Sequence, residues 1–181
     1  MQGDMGLLRR LRGGPQSPPT DIAPVYVGLR DTILNLDPKT AGIDPTSDTG
    51  RAWGLVMDWS VGDAVATIVS LADGTTSLYL STGGGSIGAG EHEAPAAASI
   101  RAVRAAEGMI DDFPTSDDAP LPGAGRTALT LLTHAGLRRI EEDNSAFERG
   151  TSRFTPVANA MQEVIHEIQL TEAASRAGSE E

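Results

Sequence analysis

Residues 75–93, TTSLYLSTGGGSIGAGEHE, decide whether this chain is a parallel α/β protein or an antiparallel one. Gly83, Gly85 and Gly88 spell G-x-G-x-x-G, which in a dinucleotide site follows a buried parallel strand and opens a helix whose free N–H groups meet a pyrophosphate. Gly84, Ser86 and Gly88 spell G-x-S-x-G, the sharp strand-to-helix turn that presents a nucleophilic serine. Both patterns need a strand on one side and a helix directly on the other. The residues before the glycines alternate instead, with Leu78 and Leu80 on one face and Ser77, Tyr79 and Ser81 on the other, so that one face is wet. After them, Gly88 and Gly90 delay the helix to the neighbourhood of Pro95, a first-turn proline.

Working upstream, residues 53–59 and 65–71 read as two more strands, separated from each other by Gly62-Asp63 and from the third strand by Asp73-Gly74. Tight turns join antiparallel neighbours, so these three strands form a meander and offer no parallel pair for a dinucleotide. Asp111 and Asp112 stand about as far downstream as a ribose-binding acid would, but at the end of a helix rather than of a strand. The glycine run is therefore expected to be a connection from a sheet edge to a helix, with glycine serving positive φ or close backbone approach.

The remaining elements follow from periodicity. Val25, Leu29, Ile33 and Leu36 recur at helical spacing behind Thr20 or Asp21 and stop at Asp37-Pro38. Ile100, Val103, Ile110 and Phe113 mark a second helix, ending near Asp112, before the polar linker PTSDDAPLPGAG at 114–125. Residues 127–133 and 137–142 form a hairpin around His134-Ala135-Gly136, followed by a loop containing Phe147 and Phe154. Thr155 and Pro156 then open a helix whose apolar face is Val157, Met161, Val164, Ile165 and Ile168. The expected fold is α+β: a five-stranded antiparallel sheet in the order helix, three strands, helix, two strands, helix. Residues 1–20 are expected to be a flexible basic leader and linker, 21–170 a single domain, and 171–181, which lack an apolar stripe, a disordered acidic tail.

That element order, on a small acidic chain, resembles the class I type III secretion chaperones, α+β dimers that hold partly unfolded effectors. No motif carries the resemblance residue by residue. The stretches WGLVMDW (53–59) and ADGTTSLYLSTGGGSIGAGEHE (72–93) are also similar to an uncharacterised bacterial family, over roughly residues 50–170, and that similarity implies no activity.

Charge narrows the partners. The formal net charge is −11, and the leader (three Arg, one Asp) and tail (one Arg, three Glu) cancel, which leaves the whole excess on the body. Affinity for nucleic acid comes largely from Lys and Arg displacing counterions, so nucleic acid is not expected as a partner. The single lysine, Lys39, against thirteen arginines reads as a GC-rich coding bias. Cysteine is absent, which removes disulfides, thiolate nucleophiles and zinc–sulfur sites. No apolar run follows the leader arginines, as a secretory signal requires, and no stretch approaches the ~20 apolar residues of a membrane span, so the expected location is cytoplasmic.

Three constellations carry candidate chemistry. A serine hydrolase would use Ser86 with His134 or His166 as base and Asp117 or Asp143 as orienter, in the right chain order. A metal would need more than the half-site of Glu163, His166 and Glu167 in EVIHE, with His92, Glu91 and Glu93 to complete it; no metal or other cofactor is expected. A binding surface would use Gly85, Ser86, Gly88 and Gly90, whose backbone N–H groups lie near a helix start, and Trp53 and Trp59, whose spacing of six places both on one face of a strand. Asp58, like Asp117 and Asp118, is expected to be solvated. The functional expectation is a non-enzymatic intracellular binding or assembly protein of chaperone-like type, acting on a protein partner, with pairing of two copies through the sheet or the last helix left open. The serine hydrolase is the alternative.

Overall fold

The computed structural model of the protein describes residues 22–43 and 51–178; the expected leader and the last residues of the tail, 179–181, lie outside them. Positive φ at Gly62 (61°) and Gly74 (92°) closes the two tight turns, so β1 (Ala52–Val61), β2 (Ala64–Leu71) and β3 (Thr76–Leu80) form the expected antiparallel meander. The second turn is braced by Asp73 Oδ1, which accepts the Thr75 N–H at 2.8 Å. The sheet has seven strands rather than five, in the order β4-β3-β2-β1-β6-β7-β5. The expected hairpin is β6 (Arg126–Thr133) and β7 (Gly136–Asp143), and β6 lies against β1. The two additional strands are β4 (Gly85–Ser86), paired with Leu78 and Tyr79, and β5 (Thr115–Ser116), paired with Leu137 and Arg138. Each is two residues long, too short for alternation to register in the sequence.

Among the described residues four α-helices accompany the sheet: α1 (Pro24–Leu34), α2 (Glu93–Glu107), α3 (Asn144–Glu148) and α4 (Thr155–Gly178). The short α3 occupies what reads as loop. The expected frayed tail is helical through Gly178, because Glu172, Ala173, Ala174 and Arg176 are strong helix formers and Glu172 pairs with Arg176 one turn on.

One face of the sheet carries the main core. Leu55, Met57, Ile68, Leu78, Leu129 and Leu131 lie there beneath the alanine-rich inner side of α2 and the predicted stripe of α4, all of it buried. The other face carries a smaller cluster, Val56, Val69, Leu71, Tyr79 and Leu132, beneath α1 and the turn that ends in Ile43. Of the expected line Val25, Leu29, Ile33 and Leu36, the last three pack partly buried against this cluster and Val25 is 60% exposed, while the buried residues of α1 are Tyr26 and Arg30.

The two tryptophans are on opposite faces. A register shift between Ala52 and Gly54 inserts one extra residue into β1 and reverses the alternation there. Trp53 therefore joins the α1 cluster, while Trp59, in step with Leu55 and Met57, packs half-buried against the main core. They form no common aromatic patch.

Candidate functional site

The glycine stretch folds as a hairpin and a short helical turn, and two of its glycines are demanded by close approach. Gly85 lies directly against β3: a Cβ there would stand 2.1 Å from the Leu78 carbonyl oxygen, and its φ is 139°. Gly90, in the 3-10 turn Ala89–Glu91, packs on the β2–β3 turn, where a Cβ would stand 2.3 Å from the Gly74 carbonyl oxygen. The loop is thus tied down on both sides of Ser86. Of the backbone donors expected to hold an anion, Glu91 N–H and His92 N–H are spent inside the turn on Gly88 and Ala89.

Ser86 lies on β4, and α2 begins only at Glu93. A strand residue with such a gap before the helix is not at a nucleophile elbow. Its proposed partners are dispersed. Asp117 is exposed just beyond β5, at the opposite edge of the sheet from β4, which at ~4.8 Å per strand step is roughly 29 Å away. His134 sits in the β6–β7 turn, half-buried, with no hydrogen-bond partner for Nε2. His166 is exposed on α4, and Asp143 pairs with Arg126 at 2.9 Å. Among the described residues no hydrogen bond joins Ser86 to a histidine, and no group of three or more His, Asp or Glu side chains could hold a metal. Glu163 of the EVIHE half-site instead accepts from Arg101 at 2.6 Å.

What the fold does bring to the glycine loop is the end of α4. The buried face of α4 ends at Ile168, and Thr171, Glu172, Ser175 and Arg176 continue the same face by helical period. The glycine loop stands across from these turns. Between the two runs a groove of about 390 Å³, with Ser86, Ile87, Ala89, Glu91 and His92 on the loop wall. Ile87 is 68% exposed at this wall. Glu91 has no ion-pair partner among the described residues, whereas Glu172 shares its charge with Arg176 at 3.1 Å. Of the expected binding residues, Ser86 and Gly88 line the groove, Gly85 and Gly90 shape its loop wall, and Trp53 and Trp59 take no part.

A second constellation was not anticipated. Asp58, on the α1 face of β1, is fully buried. Arg30 reaches it bidentately, Nε to Oδ1 at 3.1 Å and Nη2 to Oδ2 at 2.7 Å, and Arg30 Nη2 also donates to the Ala119 carbonyl at 2.6 Å. Thr67 Oγ1 donates to Asp58 Oδ1 at 2.6 Å and meets the Tyr26 hydroxyl at 2.6 Å. Burial, and then the charge of Asp58, pushes Tyr26 up to about 12. Burial disfavours the Arg30 charge, but the Asp58 hydrogen bonds and charge outweigh that and raise its pKa. Such a network holds its protons through neutral pH, so it anchors α1 and the 114–125 linker instead of moving protons. The signal is a lone acid, Asp58, in the otherwise apolar strand WGLVMDW.

No family model matches this chain, and none of the curated proteins or solved structures matches it either.

Proposed function

We propose that this chain is a non-enzymatic intracellular binding or assembly protein that receives a short segment of a protein partner in the groove between the glycine loop and the end of α4. The observation that supports this reading is the exposed Ile87 on the loop wall of a groove whose other wall is the end of α4. An exposed apolar side chain beside polar rims is what a partner's segment can cover. The volume, about 390 Å³, lies at the small end of ligand sites and suits a few side chains of a segment rather than a folded domain. A chaperone-like role would add pairing of two copies, and the acidic body favours a client with basic character.

The test is affinity capture from the native lysate with three baits: the unaltered chain, Ile87→Glu and Ser86→Ala. A stoichiometric partner retained by Ser86→Ala and lost by Ile87→Glu is the expected result. Turnover of an activated ester that disappears in Ser86→Ala would overturn the reading in favour of the hydrolase.

A further inference from the structure

We infer that the sheet face beneath α1 and the 114–125 linker holds an internal water molecule that bridges Thr130 on β6 to Arg139 on β7. In the antiparallel pairing of these strands Thr130 stands directly opposite Arg139, and opposed side chains leave the sheet on the same side, roughly 5 Å apart at Cβ. That side is the α1 face, since Leu132, two residues after Thr130, and Leu137, two residues before Arg139, both belong to the cluster beneath α1. Thr130 is 0% exposed and the Arg139 side chain 12%. Thr130 Oγ1 and Arg139 Nε are both shut off from solvent, and neither has a hydrogen-bond partner among the described residues. The pair is unlike Asp58, Arg30, Thr67 and Tyr26 on the same face, which satisfy one another. Trp53 Nε1, also unpaired here, lies further along the strands, where Gly54 meets Leu132.

The surroundings select a small neutral ligand that both accepts and donates. Arg139 Nε only donates, and its N–H runs parallel to one N–H of Nη2, the side-on fork with which Arg30 grips Asp58. Nη2 of Arg139 donates to the Pro120 carbonyl at 3.1 Å and to Glu141 Oε2 at 2.7 Å, so acceptors stand beside the place a ligand on Nε occupies. An anion in that place would meet the Glu141 carboxylate, with Asp58 one step along the same face, opposite Ala128. The linker does not answer Nε directly, because its Ala119 and Pro120 carbonyls are taken by Arg30 and by Nη2 of Arg139. A water molecule accepts from Nε and has hydrogens for Thr130 Oγ1 and for the second lone pair of the Pro120 carbonyl. Three such bonds are the usual complement of a buried water.

The test is oxygen-17 magnetic relaxation dispersion of water in solutions of the full chain, which reads the number of long-lived internal waters and is blind to the exchange of hydroxyl protons. At one buried water per ~27 residues, a chain of 181 residues holds on the order of seven. Thr130→Val keeps the shape and removes the hydroxyl, and should lower the dispersion amplitude by roughly a seventh, the contribution of one water. Thr130→Ser keeps the hydroxyl and should not lower it. With arginine labelled by nitrogen-15, the Arg139 Nε–H should show cross-relaxation with long-lived water in the unaltered and Thr130→Ser chains and lose it in Thr130→Val. If Thr130→Val fails to fold, Arg139→Lys takes its place, since it retains a cation for Glu141 and removes the Nε–H; the same one-water loss is expected. Equal amplitudes in the unaltered and altered chains would overturn the proposal, and so would a chloride ion in that place, seen as equal oxygen dispersions with a broadened chloride resonance. An equal fall in Thr130→Ser and Thr130→Val would also overturn it, because the water would then depend on the threonine methyl rather than on the hydroxyl.

Discussion

Beneath α2 and α4 the sheet presents Leu55, Met57, Ile68, Leu129 and Leu131, with nothing charged among them; beneath α1 it presents Val56, Val69 and Leu132 together with Asp58 and Thr67. The first face is covered by two helices and anchors twenty-one buried apolar residues among those described, the second by one helix of eleven residues and eight such residues. Burial of apolar area scales with what there is to bury, so the first face can hold its helices by volume alone. The second face cannot, and adds directional bonds that specify how α1 sits. A helix fixed by a bidentate arginine has one position, whereas a helix on a small greasy patch has several.

The largest effects are expected where volume is removed from the first face. Phe113 is fully buried and meets Phe154 edge-on, ring centres 4.6 Å apart at 63°. Phe113→Ala should cost about 3–5 kcal/mol in urea denaturation, the usual toll of an aromatic cavity. On the second face, Arg30→Met keeps bulk but strands the Asp58 carboxylate. It should cost about 3 kcal/mol, and adding Asp58→Leu should restore much of that, since an apolar pair replaces a buried ion pair at little net cost. A loss under ~1 kcal/mol for Arg30→Met would mean that α1, too, is held by volume, because removing one partner of a buried pair normally costs several times as much.

These two faces were not equally legible in the sequence. The main-core face announces itself, since Val157, Met161, Val164, Ile165 and Ile168 repeat at helical spacing and need no partner to be recognised. On the α1 face the expected line holds for Leu29, Ile33 and Leu36, and what departs from it depends on distant residues. Arg30 and Asp58 are twenty-eight positions apart and meet only in the folded chain, and Val25, part of the expected line, is exposed. Trp53 and Trp59 obey period two only if β1 is regular, and the bulge opposite β6 removes that regularity. At the candidate site, the glycines could be read as backbone necessity from the flanking alternation alone. The groove could not, because its second wall comes from helical turns beyond Ile168 that carry no stripe and are helical through propensity and one i,i+4 pair.

Tyr26 separates the faces by pH rather than by magnitude. Its pKa stands raised in the folded chain to about 12 from an ordinary 10.0, so the stability it contributes is fully present below pH 10 and drains away as pH rises toward 12. Tyr26→Phe should cost only about 1 kcal/mol at neutral pH, the worth of the hydrogen bond to Thr67, and should flatten the alkaline decline seen in denaturation from pH 9 to 12. Unfolding of the Phe113→Ala chain should keep that decline, since its lesion lies on the face without the network. If both variants lose the alkaline slope, the two faces do not respond independently.

The smallest effect sharpens the comparison most, because it holds distance nearly constant and changes only burial. Arg101 on α2 and Glu163 on α4 approach to 2.6 Å with side chains 53% and 49% exposed; Arg30 and Asp58 approach to 2.7 Å with side chains 9% and 0% exposed. Water screens the first pair and competes for its hydrogen bond, and two long side chains must be stilled to make it, so a double-mutant cycle with Arg101→Ala and Glu163→Ala should return a coupling of about 0–1 kcal/mol. The same cycle on Arg30 and Asp58 should return several-fold more, because each single change there leaves a buried charge with too few partners. Raising salt should erase the coupling across α2 and α4 and leave the one beneath α1 nearly intact, as screening reaches only exposed charge. Equal couplings in the two cycles would show that α1 lies over a wetter face than its burial implies, and the directional anchoring argued for it would have to rest on Tyr26 and Thr67 alone.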